Sequence, residues 1–269
     1  MTRLAILAGG GNLPTLVANA AVAQEHQVLM ITFTGQQQPQ IPEGIQHIQQ
    51  ALGAVGQTLK LLKQNDIEQV VLAGNIEKPK IFNLRPDAKV LALLARVMRH
   101  HDDELLQTVC EMLEEEGFQV VSAQEICPDL LVSTGILGRH KPTPSVWKDI
   151  TQGQETLKAT GSLDIGQAVV VKDKVLLGIE AIEGTEALLQ RCASLRGEGE
   201  QGGVLVKLPK PEQTLQADVP TIGPNTIKTL AELGYAGVAI GAEKTLVLDK
   251  EETIKQANEA GIFIVGIES

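Results

Sequence analysis

The sequence predicts an α/β protein: an N-terminal domain with a parallel, doubly wound sheet, followed by a second α/β domain with a mixed sheet. Three observations predict it. Short continuous apolar runs alternate with helix-patterned stretches through the first half, as expected of strands buried on both faces between crossover helices. Two of those runs end in glycine, at Gly9-Gly10-Gly11 and at Gly74. In the second half two aliphatic runs flank Lys172-Asp173-Lys174, a hairpin signature that places antiparallel pairs in the sheet.

The elements follow in order. Leu4 to Ala8 is a short apolar run, and the stretch after Gly11 carries Leu13, Leu16, Val17 and Ala20 on one helical face. Pro14 suits the first turn of that helix, where a missing N–H costs little. Val28 to Phe33 reads as a buried strand and 35–44 as a polar loop. A helix is expected over 56–64, a strand over 69–73, helices over 87–99 and 102–116, and a strand over 118–121. Gly117 would stop the second of those helices. Residues 135–145 contain Gly135, Gly138, Pro142 and Pro144 and are expected as a linker between domains 1–134 and 146–269. Beyond it the pattern predicts helices over 148–159, 185–196, 224–233 and 250–260. Strands are expected over 168–171, 175–179, 204–208, 238–240, 245–248 and 262–265.

Composition narrows the function classes. Of 269 residues 43% are hydrophobic but only 2% aromatic, so aliphatic side chains must fill the core. A formal net charge of −10 argues against a duplex nucleic-acid partner, and so few aromatics argue against stacking on single strands. Cys110, Cys127 and Cys192 are far apart and form no metal or disulfide pattern, which suits reducing cytoplasm. No signal-peptide pattern precedes the first strand, and no apolar run reaches the roughly 18 residues that span a bilayer. Any membrane contact is expected to be peripheral.

Several motifs carry polar groups to strand ends. Gly9 to Leu13 lies between a strand and a helix, where Gly10, Gly11, Asn12 and Leu13 can bring backbone N–H groups to a phosphate. It half-matches a dinucleotide fingerprint, but Pro14 stands where the third glycine would be and no acid ends the second strand, so NAD is not expected. Gly74, Asn75 and Ile76 follow a second strand of the same sheet. The run Arg99 to Glu104, with His100 and His101, looks like metal ligands, but neighbours on a helix diverge by about 100°. The Asp102-Asp103 pair is better read as a helix start. Gly166 and Gln167 lead into the hairpin. Glu180 and Glu183 leave it, close enough to serve a metal, and Thr185 is placed to cap the next helix. Lys207 and Lys210 are read as alternating along one strand, facing one side and neutralising phosphate charge. Asp218 lies in a segment stiffened by Pro220 and Pro224, with Thr221 between them, and suits general-base work or metal ligation. Gly241 to Thr245 ends in Lys-Thr but lacks the spacing of a phosphate loop and is read as a turn.

These motifs, from Leu7-Ala8-Gly9-Gly10-Gly11-Asn12-Leu13-Pro14 through Ala73-Gly74-Asn75, Leu163-Asp164-Ile165-Gly166-Gln167, Glu183-Gly184-Thr185 and Lys207-Leu208-Pro209-Lys210-Pro211 to Asp218-Val219-Pro220-Thr221-Ile222-Gly223, occur in one order. Together they resemble the LpxI-type UDP-2,3-diacylglucosamine pyrophosphatases of lipid A synthesis, over nearly the whole chain. The resemblance implies hydrolysis of a glycolipid UDP-sugar to 2,3-diacylglucosamine 1-phosphate (lipid X) and UMP, with Mg²⁺. It implies Asp218 as the catalytic residue, which is expected to ligate the metal or to activate the attacking water. It further implies a Rossmann-like N-terminal domain, a distinct C-terminal α/β domain, a homodimer and a ligand lodged between domains. Together with the cysteine usage and the lack of a spanning segment, the expectation is a cytoplasmic enzyme with peripheral contact to the inner membrane. A carrier or sensor of a nucleotide-sugar or glycolipid is the alternative; it needs no base, and turnover separates the two.

Overall fold

The computed structural model describes residues 2–76, 102–161, 163, 165–197, 200–210 and 219–268, with 102–105 as backbone alone. The helix expected over 87–99, the His100-His101 pair, the Asp102 and Asp103 side chains, Asp164 and Asp218 lie outside what is described. The described residues divide into two units, one running to Pro128 and one starting at Asp129.

In the first unit the apolar runs become β1 (Arg3–Ala8), β2 (Gln27–Phe33) and β4 (Gln69–Ala73). With β3 (Gln46–Gln50) and β5 (Gln119–Val120) they form a wholly parallel sheet of order β3-β2-β1-β4-β5. This is the doubly wound arrangement that the alternation predicted. The helices are α1 (Leu13–Ala23), α2 (Val55–Gln64), α3 (Asp102–Glu115) and the single turn α4 (Ala123–Ile126). Ala5, Leu29, Ile31 and Val70 pack with Leu59 and Leu62 of α2 and with Cys110 and Leu113 of α3. Leu4 and Ile6, one residue out of phase with Ala5, are also fully buried and serve the other face. Helix α4 has a capping box, in which Ser122 accepts from the Glu125 amide and Glu125 accepts from the Ser122 amide. Strand β3 was not anticipated. Its sequence, Gln-His-Ile-Gln-Gln, holds one apolar residue and lies at the sheet edge.

The second unit holds β6 (Gly135–Leu137), α5 (Pro144–Gly161), β7 (Ala168–Lys172), β8 (Val175–Ile179), α6 (Thr185–Ser194), β9 (Val204–Lys207), β10 (Thr221–Ile222), α7 (Pro224–Glu232), β11 (Gly237–Gly241), β12 (Leu246–Val247), α8 (Lys250–Ala260) and β13 (Phe263–Ile267). Six strands make a mixed sheet of order β6-β13-β11-β9-β7-β8, and β10 pairs with β12. Side chains alternate between two cores. Ala168, Val170, Leu205, Val238, Ile240 and Ile264 meet Leu188, Leu189, Ile227 and Leu230 of α6 and α7. Val169, Val171, Val204, Val206, Ala239 and Val265 meet Ile150 and Leu157 of α5. Each fully buried Val, Leu or Ile among them contributes about 1.5–3 kcal/mol.

The expected linker is corrected. Gly135–Leu137 is a strand antiparallel to β13, and Pro144 already begins α5. Between them the chain is tied down, because the Arg139 amide donates to Asn258 Oδ1 (2.7 Å) and His140 Nε2 contacts the Asn258 carbonyl (3.0 Å). Glycines that suggested a hinge instead flank an edge strand. At the opposite edge, β8 is interrupted by a register shift, and Arg191 donates to the Ile179 carbonyl (3.1 Å), which blunts strand addition.

Asp149 of α5 is buried and closes the β7–β8 turn. Its carboxylate accepts from the amides of Asp173 (3.1 Å) and Lys174 (2.6 Å). Both turn residues are left-handed, with φ of 51° and 62°, as the right-twisted hairpin requires. Asp149→Ala is expected to lower stability by about 2 kcal/mol, the range for hydrogen bonds to a charged group. Asp149→Asn should recover part of that in urea unfolding.

Arg196 staples the loop before β9. It donates to the Gly202 carbonyl (2.6 Å) and the Leu233 carbonyl, and stacks 4.4 Å from the Tyr235 ring centroid. Tyr235, the chain's single tyrosine, donates to the Leu189 carbonyl (2.7 Å), and burial pushes its phenol up to about 12 from 10.0. The folded value is above the unfolded one. The phenol's contribution to stability is therefore complete below about pH 10 and lost as pH rises from about 10 to 12. Phenolate absorbance is expected to appear only across that window, together with unfolding; a titration centred near 10 in the folded protein would contradict it.

Candidate functional site

The C-terminal ends of β1 and β4 meet in the first unit. The Gly9 amide donates to the Ala73 carbonyl (2.8 Å), and Gly10 and Asn75 exchange two backbone hydrogen bonds (2.8 and 3.0 Å). The two glycine motifs are thus one structure. Their closeness is what requires glycine: a Cβ on Gly9 would lie 2.5 Å from the Asn75 carbonyl oxygen, and one on Gly74 (φ +88°) 2.5 Å from that of Gly10. The Gln37 side chain packs on Gly10, where a Cβ would come within 2.9 Å of it, a neighbour not anticipated from sequence. The pairing also changes which amides can serve a ligand. Those of Gly9 and Gly10 are consumed internally, whereas those of Gly11 and Leu13 have no backbone acceptor among the described residues. Gly11 is exposed, at φ +90°, with nothing within 4 Å of a Cβ position. Helix α1 starts here with Asn12 at its N-cap, so first-turn amides and the positive end of the helix dipole face the strand ends. Ile76 is packed into the core behind Asn75.

In the second unit, the start of β7 and the ends of β8 and β9 come to one edge. Leu208 donates its amide to the Gln167 carbonyl (3.0 Å), and Glu180 to that of Ala168 (2.8 Å). Gly166 (φ +58°) is held so close that a Cβ would lie 2.2 Å from the Glu180 carbonyl oxygen. Lys207, the last residue of β9, is only 7% exposed, and its ammonium donates to Thr185 Oγ1 (2.9 Å). Thr185 in turn donates to Glu180 Oε1 (2.6 Å). Glu180 is also 7% exposed, and its Oε2 has no partner among the described residues.

Three expectations are corrected. Thr185 does not cap α6; the N-cap is Gly184 (φ +82°) with no side-chain bond, and the hydroxyl serves the Glu180–Lys207 chain. Lys207 and Lys210 do not share a strand face, because β9 ends at Lys207, and positions three apart would point oppositely even on a longer strand. Glu183 does not join Glu180 at a metal. It accepts from Arg191 (2.7 Å) and from the Ala181 amide (3.1 Å), and the Arg191 guanidinium holds its carboxyl below the usual range. Thr221 lies half-buried in β10, opposite Leu246. Gly241 to Thr245 is a turn, as expected. Among the described residues no three His, Cys, Asp or Glu side chains cluster as metal ligands, and no helix is long and apolar enough to cross a membrane.

Two α/β units, one presenting open helix-start amides and the other a buried lysine at strand ends, define a class of protein suited to phosphate-bearing ligands. The comparisons place it further. Residues 3–130 match the LpxI N-terminal domain and residues 133–265 the LpxI C-terminal domain. A UDP-2,3-diacylglucosamine pyrophosphatase LpxI of Caulobacter vibrioides is 36% identical over 276 residues, covering 100% of this chain and 98% of the relative. The chain belongs to the LpxI family. A solved structure described as an NAD-dependent epimerase/dehydratase from Methylobacillus flagellatus is 14% identical. It covers 100% of this chain and 76% of its own at a TM-score of 0.35, too low to bear on function.

Proposed function

We propose that this protein hydrolyses the pyrophosphate of UDP-2,3-diacylglucosamine to 2,3-diacylglucosamine 1-phosphate and UMP. The observation that carries the reading is the end-to-end match to a relative named for that activity. The chain's own residues suit the chemistry. Lys207 is a buried cation with two donors that have no protein acceptor among the described residues, which favours an anionic oxygen over water. Thr185 and Gln167 stand beside it to orient the group bound there, and the Gly11 and Leu13 amides are a second place for a phosphate or sugar oxygen. Asp218 is assigned to activate the attacking water or to hold the metal.

Mg²⁺ belongs to the proposal too. Such an ion commonly takes one or two protein carboxylates and completes its shell with water and substrate oxygens, so it does not require a ligand cluster among the described residues. When bound it would offset the charge developing on the diphosphate. The reading includes the homodimer, the cytoplasmic location and peripheral contact with the inner membrane that sequence and resemblance together imply.

The test is release of UMP from UDP-2,3-diacylglucosamine by the purified chain. Turnover is expected, to be abolished by EDTA and restored by added Mg²⁺. Binding without release would favour a carrier, and activity indifferent to both EDTA and Mg²⁺ would remove the metal.

A further inference from the structure

We infer that Glu180 is a positioning residue for Lys207, acting through the Thr185 hydroxyl. The inference rests on the proposed function only for its substrate. Hydrogen-bond direction in the chain is fixed by chemistry. An ammonium has donors only, an ionised carboxylate has acceptors only, and a hydroxyl carries one hydrogen. Thr185 must give that hydrogen to Glu180 Oε1 (2.6 Å), which leaves its lone pairs to accept from Lys207 Nζ (2.9 Å). Lys207 and Glu180 form no direct ion pair among the described residues, so the hydroxyl is what joins them.

The consequence is an ordered cation. Lysine carries its charge on a flexible four-carbon stem and is ordinarily a poorly fixed charge. Here one of its three N–H groups is anchored, and its stem is buried at the end of β9. The remaining two donors have no protein acceptor among the described residues and are available to a phosphate oxygen. Glu180 can do this because its own backbone is pinned to Ala168 and packed against Gly166, so its carboxylate is a fixed reference. Among the described residues its second oxygen is buried and has no partner, so the fold described there does not account for the whole acid. A purely structural residue at a strand end would not leave half of a carboxylate unsatisfied.

The test is a mutant cycle on the full-length protein. Glu180→Ala and Thr185→Val are each expected to lower kcat/KM for UDP-2,3-diacylglucosamine by about tenfold or more, with melting temperature held within a few degrees. Glu180→Gln, which can still accept from Thr185, and Thr185→Ser, which keeps the hydroxyl, should each recover most of the loss. In a Lys207→Met background, Glu180→Ala and Thr185→Val should each change kcat/KM by less than about twofold, because the group they act through is gone. Losses in that background as large as in the wild type would overturn the inference, as would a Thr185→Val enzyme equal to wild type. Should Glu180→Ala fail to fold, Glu180→Gln and the Thr185 pair carry the same cycle. If the wild type releases no UMP at all, it is the proposed function that fails. The cycle is then read as calorimetric binding of inorganic pyrophosphate, with the same non-additivity expected and additive losses again decisive against it.

Discussion

Asp218→Asn is expected to lower UMP release by about a hundredfold or more while leaving the unfolding transition in place. The substitution keeps the shape of the side chain and removes its charge, so it would disable Asp218 in either proposed role, general base or metal ligand. Asp218 is singled out by the family motif it occupies, and the described chain is firmly held just beyond it. Two residues on, the Pro220 carbonyl accepts from the Leu246 amide (2.9 Å), Thr221 and Ile222 pair in parallel with Leu246 and Val247, and Pro224 sits in the first turn of α7. The measurement is single-turnover release of UMP alongside thermal unfolding. An Asp218→Asn enzyme within a few-fold of wild type at unchanged stability would remove Asp218 from the chemistry.

Sequence carried the framework and stopped at burial. Continuous apolar runs made β1, β2, β4, β9 and β11 visible because strands covered on both faces need no polar residues. Strand β3 was invisible for the converse reason, since an edge strand with wet side chains resembles a loop. Strands β6 and β10 are two or three residues long, too short for any period to show. At the site, glycines marked both strand ends of the first unit, but sequence could not tell which amides the protein would consume for itself. Local motifs also misled where a long-range partner won. Thr185 fits a capping pattern from its neighbours in sequence, yet Lys207, 22 residues away, claims the hydroxyl. Glu180 and Glu183 look alike on paper. One is buried against Thr185 and the other lies at the surface on Arg191.

The glycines of the first unit separate fold from ligand, and a pair of alanine substitutions should show it. Gly74→Ala is expected to destabilise the protein by about 3 kcal/mol or more. Its Cβ would meet the Gly10 carbonyl oxygen at 2.5 Å and Pro14 Cγ at 2.9 Å, with φ at +88°. Backbone is on one side of that contact, so no side-chain rotation relieves it, and moving it breaks the Gly10–Asn75 pair that holds β1 to β4. Gly11→Ala has the same left-handed φ but open space around it, so it should cost only the conformational term, about 1–2 kcal/mol. Its effect should fall on function instead, because the added methyl occupies the approach to the Gly11 and Leu13 amides, and KM for UDP-2,3-diacylglucosamine should rise by about tenfold. Urea midpoints and KM measured side by side decide the matter. Equal stability losses for the two variants would mean the open space beside Gly11 is not kept for a ligand, and an unchanged KM in Gly11→Ala would take this strand end out of substrate binding.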